Sequence, residues 1–284
     1  MIEVKNLYHS YTNDKKFAVE DVSFKIEKSE IFGFLGPSGA GKSTTQNILL
    51  GLLQLQKGSA TIDGYDVKNA SDKLFNSIGV SFEQSNLYSK LTGLENLDFY
   101  RNLFSVETED PKKLLDMVGL GNDGKKRASA YSKGMKHRLT FARSMLNKPK
   151  IWFLDEPTTG LDPATAENII SIIREKNKDG ATVFLTTHNM HVADTLCDRV
   201  GFIDEGKIVL MDSPRNLKLK YGKKLVDIEY DKNGKSVKES LSYIDKKDQK
   251  KLNEIINSGK VEMMHTKEAT LAEIFIQVTG RGLV

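Results

Sequence analysis

The sequence predicts an α/β protein: a mostly parallel sheet with helices between its strands, followed by a small α+β appendage. Three observations predict it. Short, continuously apolar runs ("EIFGFL", "IWFLDE", "ATVFLTTH") have the character of strands covered on both faces. Helical patterns lie between those runs, and strands alternating with helices imply parallel pairing. Past Ser213-Pro214 the alternation stops, and "LVDIEYDKNG" takes over with a hairpin pattern.

Taken in order, residues 1 to 35 are predicted as strands. In "VSFKIE", Val22, Phe24 and Ile26 alternate with polar residues, as a half-buried strand requires. The loop "GPSGAGKST" leads into the apolar helix "ILLGLL", and "SATIDG" is a strand ending in an Asp-Gly turn. "IGVSF" is a further strand. From about 86 to 147 the pattern is helical, through Leu114, Leu115, Val118, Leu139, Ala142 and Leu146, and Pro149 closes the region. Asp162-Pro163 is a cap followed by a first-turn proline, opening a helix that carries Ile169, Ile170, Ile172 and Ile173. After the "DKNG" turn, Leu252, Ile255 and Ile256 mark a helix. "TLAEIFIQVTG" marks another, with Thr270 and Glu273 as a capping box and Gly280 as its stop. The domain expectation is 1–219 for the main body, with its helical part about 86–147, and 220–284 for the appendage.

Bulk properties narrow the class. The chain has 284 residues, 39% hydrophobic and 28% charged, with a net charge of +4. That charge is too mild to predict a nucleic-acid partner, and would suit an anionic membrane surface. Cys197 is the one cysteine, so a disulfide framework is excluded and a reducing compartment expected. No apolar run approaches the roughly 20 residues that cross a bilayer, and no secretory signal is read at the N-terminus.

The loop Gly36, Pro37, Ser38, Gly39, Ala40, Gly41, Lys42, Ser43 fits G-x-x-x-x-G-K-[ST] between a strand and a helix. Its glycines let main-chain N–H groups wrap phosphate oxygens, and the helix start adds positive potential. Lys42 is placed to reach the β- and γ-phosphates, Ser43 to hold Mg²⁺, and Thr44 lies next along the helix. The motif alone indicates a phosphate-loop nucleotide binder. A GTP-binding protein would need Asn-Lys-x-Asp, and "NKDG" at 177–180 has Gly180 where Asp belongs. "IWFLDE" sets Asp155 and Glu156 at the carboxyl edge of a buried strand, where ligands of open α/β sheets bind. Asp155 suits a direct or bridged Mg²⁺ role, and Glu156 could polarise an attacking water.

With these two motifs, "YSKGMKHRL" and "FLDEPTTGLD" complete an ordered set that resembles the signature of ABC-type ATPases over roughly residues 1–215. The family pattern Leu-Ser-Gly-Gly-Gln appears with Tyr131, Lys133 and Met135 substituted and Ser132 and Gly134 retained. These variants are similar to export ATPases of the daunorubicin-resistance and fluoroquinolone-export groups. The resemblance implies a parallel-sheet core with an antiparallel β subdomain and a helical subdomain. It implies that Glu156, His188, Gln84 and Lys42 are catalytic, with Gln84 sensing Mg²⁺ and the lytic water, and that Ser43, Gln84 and Asp155 serve the metal. Tyr11, with Tyr8 as its competitor, would stack on adenine, and Asp162 would cross to a facing protomer. Ser132 and Gly134 would grip the ATP held by Lys42 and Ser43 of that protomer.

The cofactors implied are ATP and Mg²⁺. The implied partners are a second copy or a homologous ATPase, and an integral membrane permease. The expected location is cytoplasmic, peripheral on the inner face of the membrane. "NLYSKLTGLENL" is either the permease groove or ordinary packing, and Lys136 and Arg138 are expected to face solvent. The expected function is the ATPase subunit of an exporter, with an importer or a soluble ABC ATPase as the alternatives.

Overall fold

Strands and helices alternate along the computed structural model, which describes residues 1–12, 16–222 and 224–282. The first unit, Met1–Asp212, opens with β1 (Ile2–His9), β2 (Val19–Ile26) and β3 (Ile31–Leu35), then α1 (Lys42–Leu49). It continues through β4 (Lys57–Ile62), β5 (Tyr65–Asp66), α2 (Asp72–Phe75) and β6 (Ile78–Ser81). Three helices follow, α3 (Gly93–Arg101), α4 (Pro111–Met117) and α5 (Lys133–Arg143). The unit ends with β7 (Ile151–Asp155), α6 (Pro163–Lys178), β8 (Thr182–Thr187), α7 (Met190–Leu196), β9 (Arg199–Asp204) and β10 (Lys207–Asp212).

Its main sheet has the order β10-β9-β3-β8-β7-β6 and is parallel except for the β9–β10 hairpin. The fully apolar runs became its central strands: every residue of β3, β7 and β8 is buried. A second, antiparallel sheet has the order β2-β1-β4-β5. The Asp63-Gly64 dipeptide turns β4 into β5 with both residues at positive φ, as a two-residue hairpin turn requires. Phe24 of the antiparallel sheet stacks on Phe32 of the parallel one at 5.4 Å, and Phe34, Phe153 and Phe184 extend the cluster. This aromatic layer fixes the two sheets against each other and so fixes the edge from which the phosphate loop departs.

The helical region docks through Trp152, whose ring lies 5.0 Å from Phe141 of α5 and whose indole N–H donates to Ser144 Oγ at 2.8 Å. Cys197 is buried, and a Cβ on Gly33 would come within 2.7 Å of its sulfur. Burial pushes its thiol pKa well up, so the thiol stays protonated and inert.

The second unit, Ser213–Arg281, holds α8 (Pro214–Tyr221), β11 (Leu225–Lys232), β12 (Lys235–Ser242), α9 (Lys246–Asn257), β13 (Val261–Lys267) and α10 (Leu271–Thr279). The boundary read at 220 falls inside α8, which packs on α10. Val226, Ile228 and Tyr230 of β11 face Leu252 and Ile255 of α9 in a small core. The Thr270/Glu273 capping box forms, and Gly280 ends α10 at φ 71°. The strand β13 was not legible in the sequence, because only Val261 among its residues leaves the exposed class.

Candidate functional site

The phosphate loop leaves β3 at Gly36, where a side chain would strike the Ile203 carbonyl at 2.2 Å. Gly41, at φ 111°, precedes α1 and provides no side-chain cap, and the first turn carries no acid. The N–H groups at this helix start are therefore open to an anion. Lys42 Nζ folds back over the loop and donates to the carbonyls of Gly36 at 2.7 Å and Pro37 at 2.9 Å. Its pKa is held below the usual lysine value by burial, a shift opposed by the charges of Glu156, Asp155 and Glu83.

The two acids follow at the end of β7. Asp155 accepts a hydrogen bond from Thr186 Oγ1. Burial raises its pKa, Glu156 and Glu83 push the same way, and Thr186 and Lys42 oppose them. Glu156 is 5% exposed and sits at φ 49°, an uncommon conformation for a residue with a Cβ. Its main-chain N–H donates to the Thr186 carbonyl at 2.9 Å. Its carboxylate accepts from Thr159 Oγ1 at 3.0 Å, Thr187 Oγ1 at 2.9 Å and the His188 N–H at 2.9 Å. His188 Nδ1 lies 2.6 Å from the same carboxylate.

These groups line an open cleft of 1180 Å³. Ser38, Gly39, Gly41, Lys42, Ser43 and Thr44 of the phosphate loop and α1 line it together with Asp155, Glu156 and His188, and with Tyr11 and Phe17. Tyr11 is 64% exposed, and its hydroxyl hydrogen-bonds Thr44 Oγ1 at 3.0 Å. Tyr8, its competitor in the sequence, instead meets Phe17 edge-on at 5.5 Å and does not line the cleft. Gly36, Pro37 and Ala40 belong to the loop but do not line the cleft.

One expected residue is placed elsewhere. Gln84 is exposed and does not line the cleft; its neighbour Glu83 does. Phe82 packs on the core, and Glu83, next to it, turns to the cleft. Sequence reading also passed over Phe17, Glu205 and Gly206, and with them Thr12, Lys16, Ala18 and Glu20, all of which line the cleft. Phe17 alone carried a signal, as an aromatic residue in an otherwise polar stretch.

The signature segment is not at this cleft. Ser132 caps α5, accepting from the Met135 N–H at 3.2 Å, and is exposed. Gly134 lies beside the 160–161 turn, where an added Cβ would sit 3.6 Å from Leu161. Asp162 caps α6 through the Thr165 N–H at 3.0 Å and its hydroxyl at 2.7 Å, which lowers its pKa. Tyr131 is buried, and its hydroxyl donates to the Asp123 carbonyl at 2.8 Å, tying α5 to the helical region. Arg138 does not face solvent as expected. Its guanidinium donates to the carbonyls of Val118 and Gly119 at 2.8 and 2.9 Å, closing the end of α4.

The donors fit a small, hard divalent cation, since Ser43 and Asp155 offer oxygen ligands to the cleft. Among the described residues no three metal-ligating side chains gather. Magnesium is commonly held in that way, by one or two protein oxygens with the rest from phosphate and water.

Comparison with known proteins extends this picture. The ABC transporter family model matches residues 19–159. A fluoroquinolones export ATP-binding protein of Mycobacterium tuberculosis (strain CDC 1551 / Oshkosh) is 44% identical over 284 residues, all of this chain and 94% of that protein. The linearmycin resistance ATP-binding protein of Bacillus subtilis (strain 168) is 35% identical over 221 residues, 76% of this chain and 70% of that protein. Among solved structures, an ATP-binding subunit of an ABC transporter superposes with TM-score 0.71 at 26% identity, over 78% of this chain and 93% of its own. A dimeric ATP-binding cassette, in a post-hydrolysis state with ADP and Pi, superposes with TM-score 0.69 at 28% identity, over 75% and 98%.

Proposed function

This chain belongs to the ABC transporter ATP-binding family and is an ATPase subunit, and from that premise we propose that two copies, or one copy and a close relative, close around ATP to drive a membrane-embedded exporter. The observation that carries the proposal is a separation. Lys42 and Ser43 lie in the cleft, while Ser132 and Gly134 sit at a helix start outside it. A facing copy brings the second pair to the first, and a terminal phosphoryl is then held from both sides.

Such a composite site explains how binding does work. A ligand shifts an equilibrium only by its differential affinity for the two states. Half of these contacts exist only when the pair is closed, so ATP favours closure. Lys42 would release the Gly36 and Pro37 carbonyls and turn to the phosphates. Glu156 would orient and polarise the attacking water, with His188 beside it. Ser43 and Asp155 would hold Mg²⁺, which when bound spreads the charge that builds on the transferring phosphoryl. Tyr11 is placed for the base, and Asp162 orders the turn that faces the second copy.

Among the described residues no helix is long and apolar enough to cross a membrane, so the spanning partner is a separate polypeptide in this reading. Exposed Tyr88 and Phe99, in edge contact at 4.8 Å, offer it a surface on α3 and the loop before it. The names of the relatives support export. A peripheral position on the cytoplasmic face follows from pairing with such a permease. The decisive experiment is sedimentation of the Glu156→Gln chain with and without Mg-ATP. Expected is a dimer only with nucleotide; a monomer under saturation, alone and beside its permease, overturns the shared site.

A further inference from the structure

A second cavity, of 290 Å³, lies at the other edge of the main sheet, and the ATPase chemistry leaves it unused. Lys150, in its lining, immediately precedes β7, whereas Asp155 of the cleft ends that strand. Five residues of strand put roughly 17 Å between the two ends. The apolar part of the lining is Met145, Pro149, Trp152 and Ala181. The Trp152 indole N–H is taken by Ser144, so the ring adds no donor. The charged part is Glu109, Lys148, Lys150, Lys176 and Asp179. Lys148 is paired with Glu107 at 2.5 Å, and Glu109 with Lys113 at 3.3 Å. Among the described residues Lys150, Lys176 and Asp179 enter no ion pair. Two ammoniums against one carboxylate leave the cavity with one positive charge in excess. The main chain beneath both lysines is tied down. The Lys150 N–H donates to the Ser77 carbonyl at 2.9 Å, and the Lys150 carbonyl accepts from the Thr182 N–H at 2.9 Å. The Lys176 carbonyl accepts from the Ala181 N–H at 3.1 Å. This fixed frame lowers the ordering cost of a ligand.

We propose that this cavity binds a small organic monoanion of the aromatic-carboxylate class, with Lys150 and Lys176 holding the carboxylate and the apolar lining taking the ring. Each part of the ligand answers an observation. One negative charge matches the excess. A polyanion such as a nucleotide would set its further charges against Asp179 and Glu109. The ring removes apolar surface from water at Met145, Pro149 and Ala181, which supplies affinity that two partly screened ammoniums cannot. The volume is at the small end for ligand pockets, about 300 Å³ and upward, so the ligand is one or two rings in size. Lys150 is exposed and Lys176 half-buried, so each contributes a modest factor rather than an absolute requirement.

The test is equilibrium dialysis of radiolabelled benzoate against the full chain at fixed ionic strength. Expected is saturable binding with a dissociation constant below about 10 mM, as suits so small a ligand. Lys150→Gln and Lys176→Gln should each weaken it about threefold, and the double variant about tenfold. Asp179→Asn, which removes the opposing charge, should tighten it about twofold. Acetate, which carries the charge without the ring, and inorganic phosphate should not displace it at equal concentration. Saturating Mg-ADP should leave it unchanged, because the cleft lies at the other edge of the sheet. Absence of saturable binding overturns the proposal. So does binding that the double lysine variant leaves unaltered, since the carboxylate would then be held elsewhere. Displacement by acetate or phosphate would show that the ring is not recognised, and displacement by Mg-ADP that benzoate sits in the cleft; either result is equally fatal.

Discussion

His188 Nδ1 and Glu156 Oε1 lie 2.6 Å apart, and they meet because Glu156 takes a left-handed backbone at φ 49°. That conformation is of order 1–3 kcal/mol unfavourable for a residue with a Cβ. It is held by the Glu156 N–H bond to the Thr186 carbonyl and by three donors on the carboxylate besides the His188 ring: Thr159 Oγ1, Thr187 Oγ1 and the His188 main-chain N–H. The strain turns the side chain off the strand axis into the cleft, beside Lys42 and Asp155. A carboxylate this fully engaged has a fixed direction, which suits a group that must orient one water.

Glu156→Gln should therefore keep ATP binding within a few-fold and lower turnover by about 100-fold or more, the usual contribution of a positioned base. The amide oxygen still accepts from Thr159, Thr187 or the His188 N–H, so the fold survives. Phosphate release, measured beside nucleotide binding, checks both halves. Turnover at the parent rate would remove Glu156 from the chemistry.

Lys42→Ala should weaken ATP binding by about tenfold or more, since charge-assisted hydrogen bonds are worth about 1.5–3 kcal/mol each. Among the described residues the ammonium donates to the Gly36 and Pro37 carbonyls of its own loop, so the melting temperature should change little. Titration calorimetry and thermal melting on the same sample separate lost binding from lost folding. Undiminished affinity would dissociate this loop from phosphate.

The main sheet and the phosphate loop were legible because local chemistry fixes them. A buried parallel strand needs a continuous apolar run, and "IFGFL", "IWFLD" and "TVFLTT" supply it. Asp162 and Thr270 announced their helices because a cap is a local hydrogen bond. That Glu83 rather than Gln84 lines the cleft was not legible, because which of the two turns inward depends on Phe82 finding the core, a tertiary event. Arg138 was read as solvated because the carbonyls it closes, at 118 and 119, lie far away in sequence. The strand β13 carries almost no inward side chain and so left no period to read.

Ser132→Arg should leave the isolated chain able to bind ATP yet unable to pair. Ser132 does not line its own chain's cleft, so its size is immaterial there. Losing the cap on Met135 costs about 1 kcal/mol, too little to unfold the helix. In the background of Glu156→Gln with Mg-ATP, sedimentation should show monomer where the parent shows dimer. Dimerisation equal to the parent would contradict a site shared across two copies.

His137 supplies a prediction about pH. It lies on α5 at 5% exposure, and among the described residues neither ring nitrogen makes a hydrogen bond of good geometry. Burial lowers its pKa below the ordinary 6.5; the Glu156 main chain and the Glu83 charge oppose the shift, and Lys133 adds to it. The folded chain therefore takes up this proton only at a lower pH than the unfolded chain, whose histidine does so near pH 6.5. The stability tied to this group is present above that pH and is lost as pH falls below it. His137→Met fills similar space without titrating, and without leaving two buried nitrogens unpaired. Between pH 7.5 and 5.5 its melting temperature should fall less steeply than wild type, while at pH 7.5 it should be at least as stable. Carboxylates shared by both proteins contribute equally to acid loss, so the difference in slope isolates the imidazole. Parallel slopes would mean that His137 takes up its proton as readily in the folded chain as in the unfolded one.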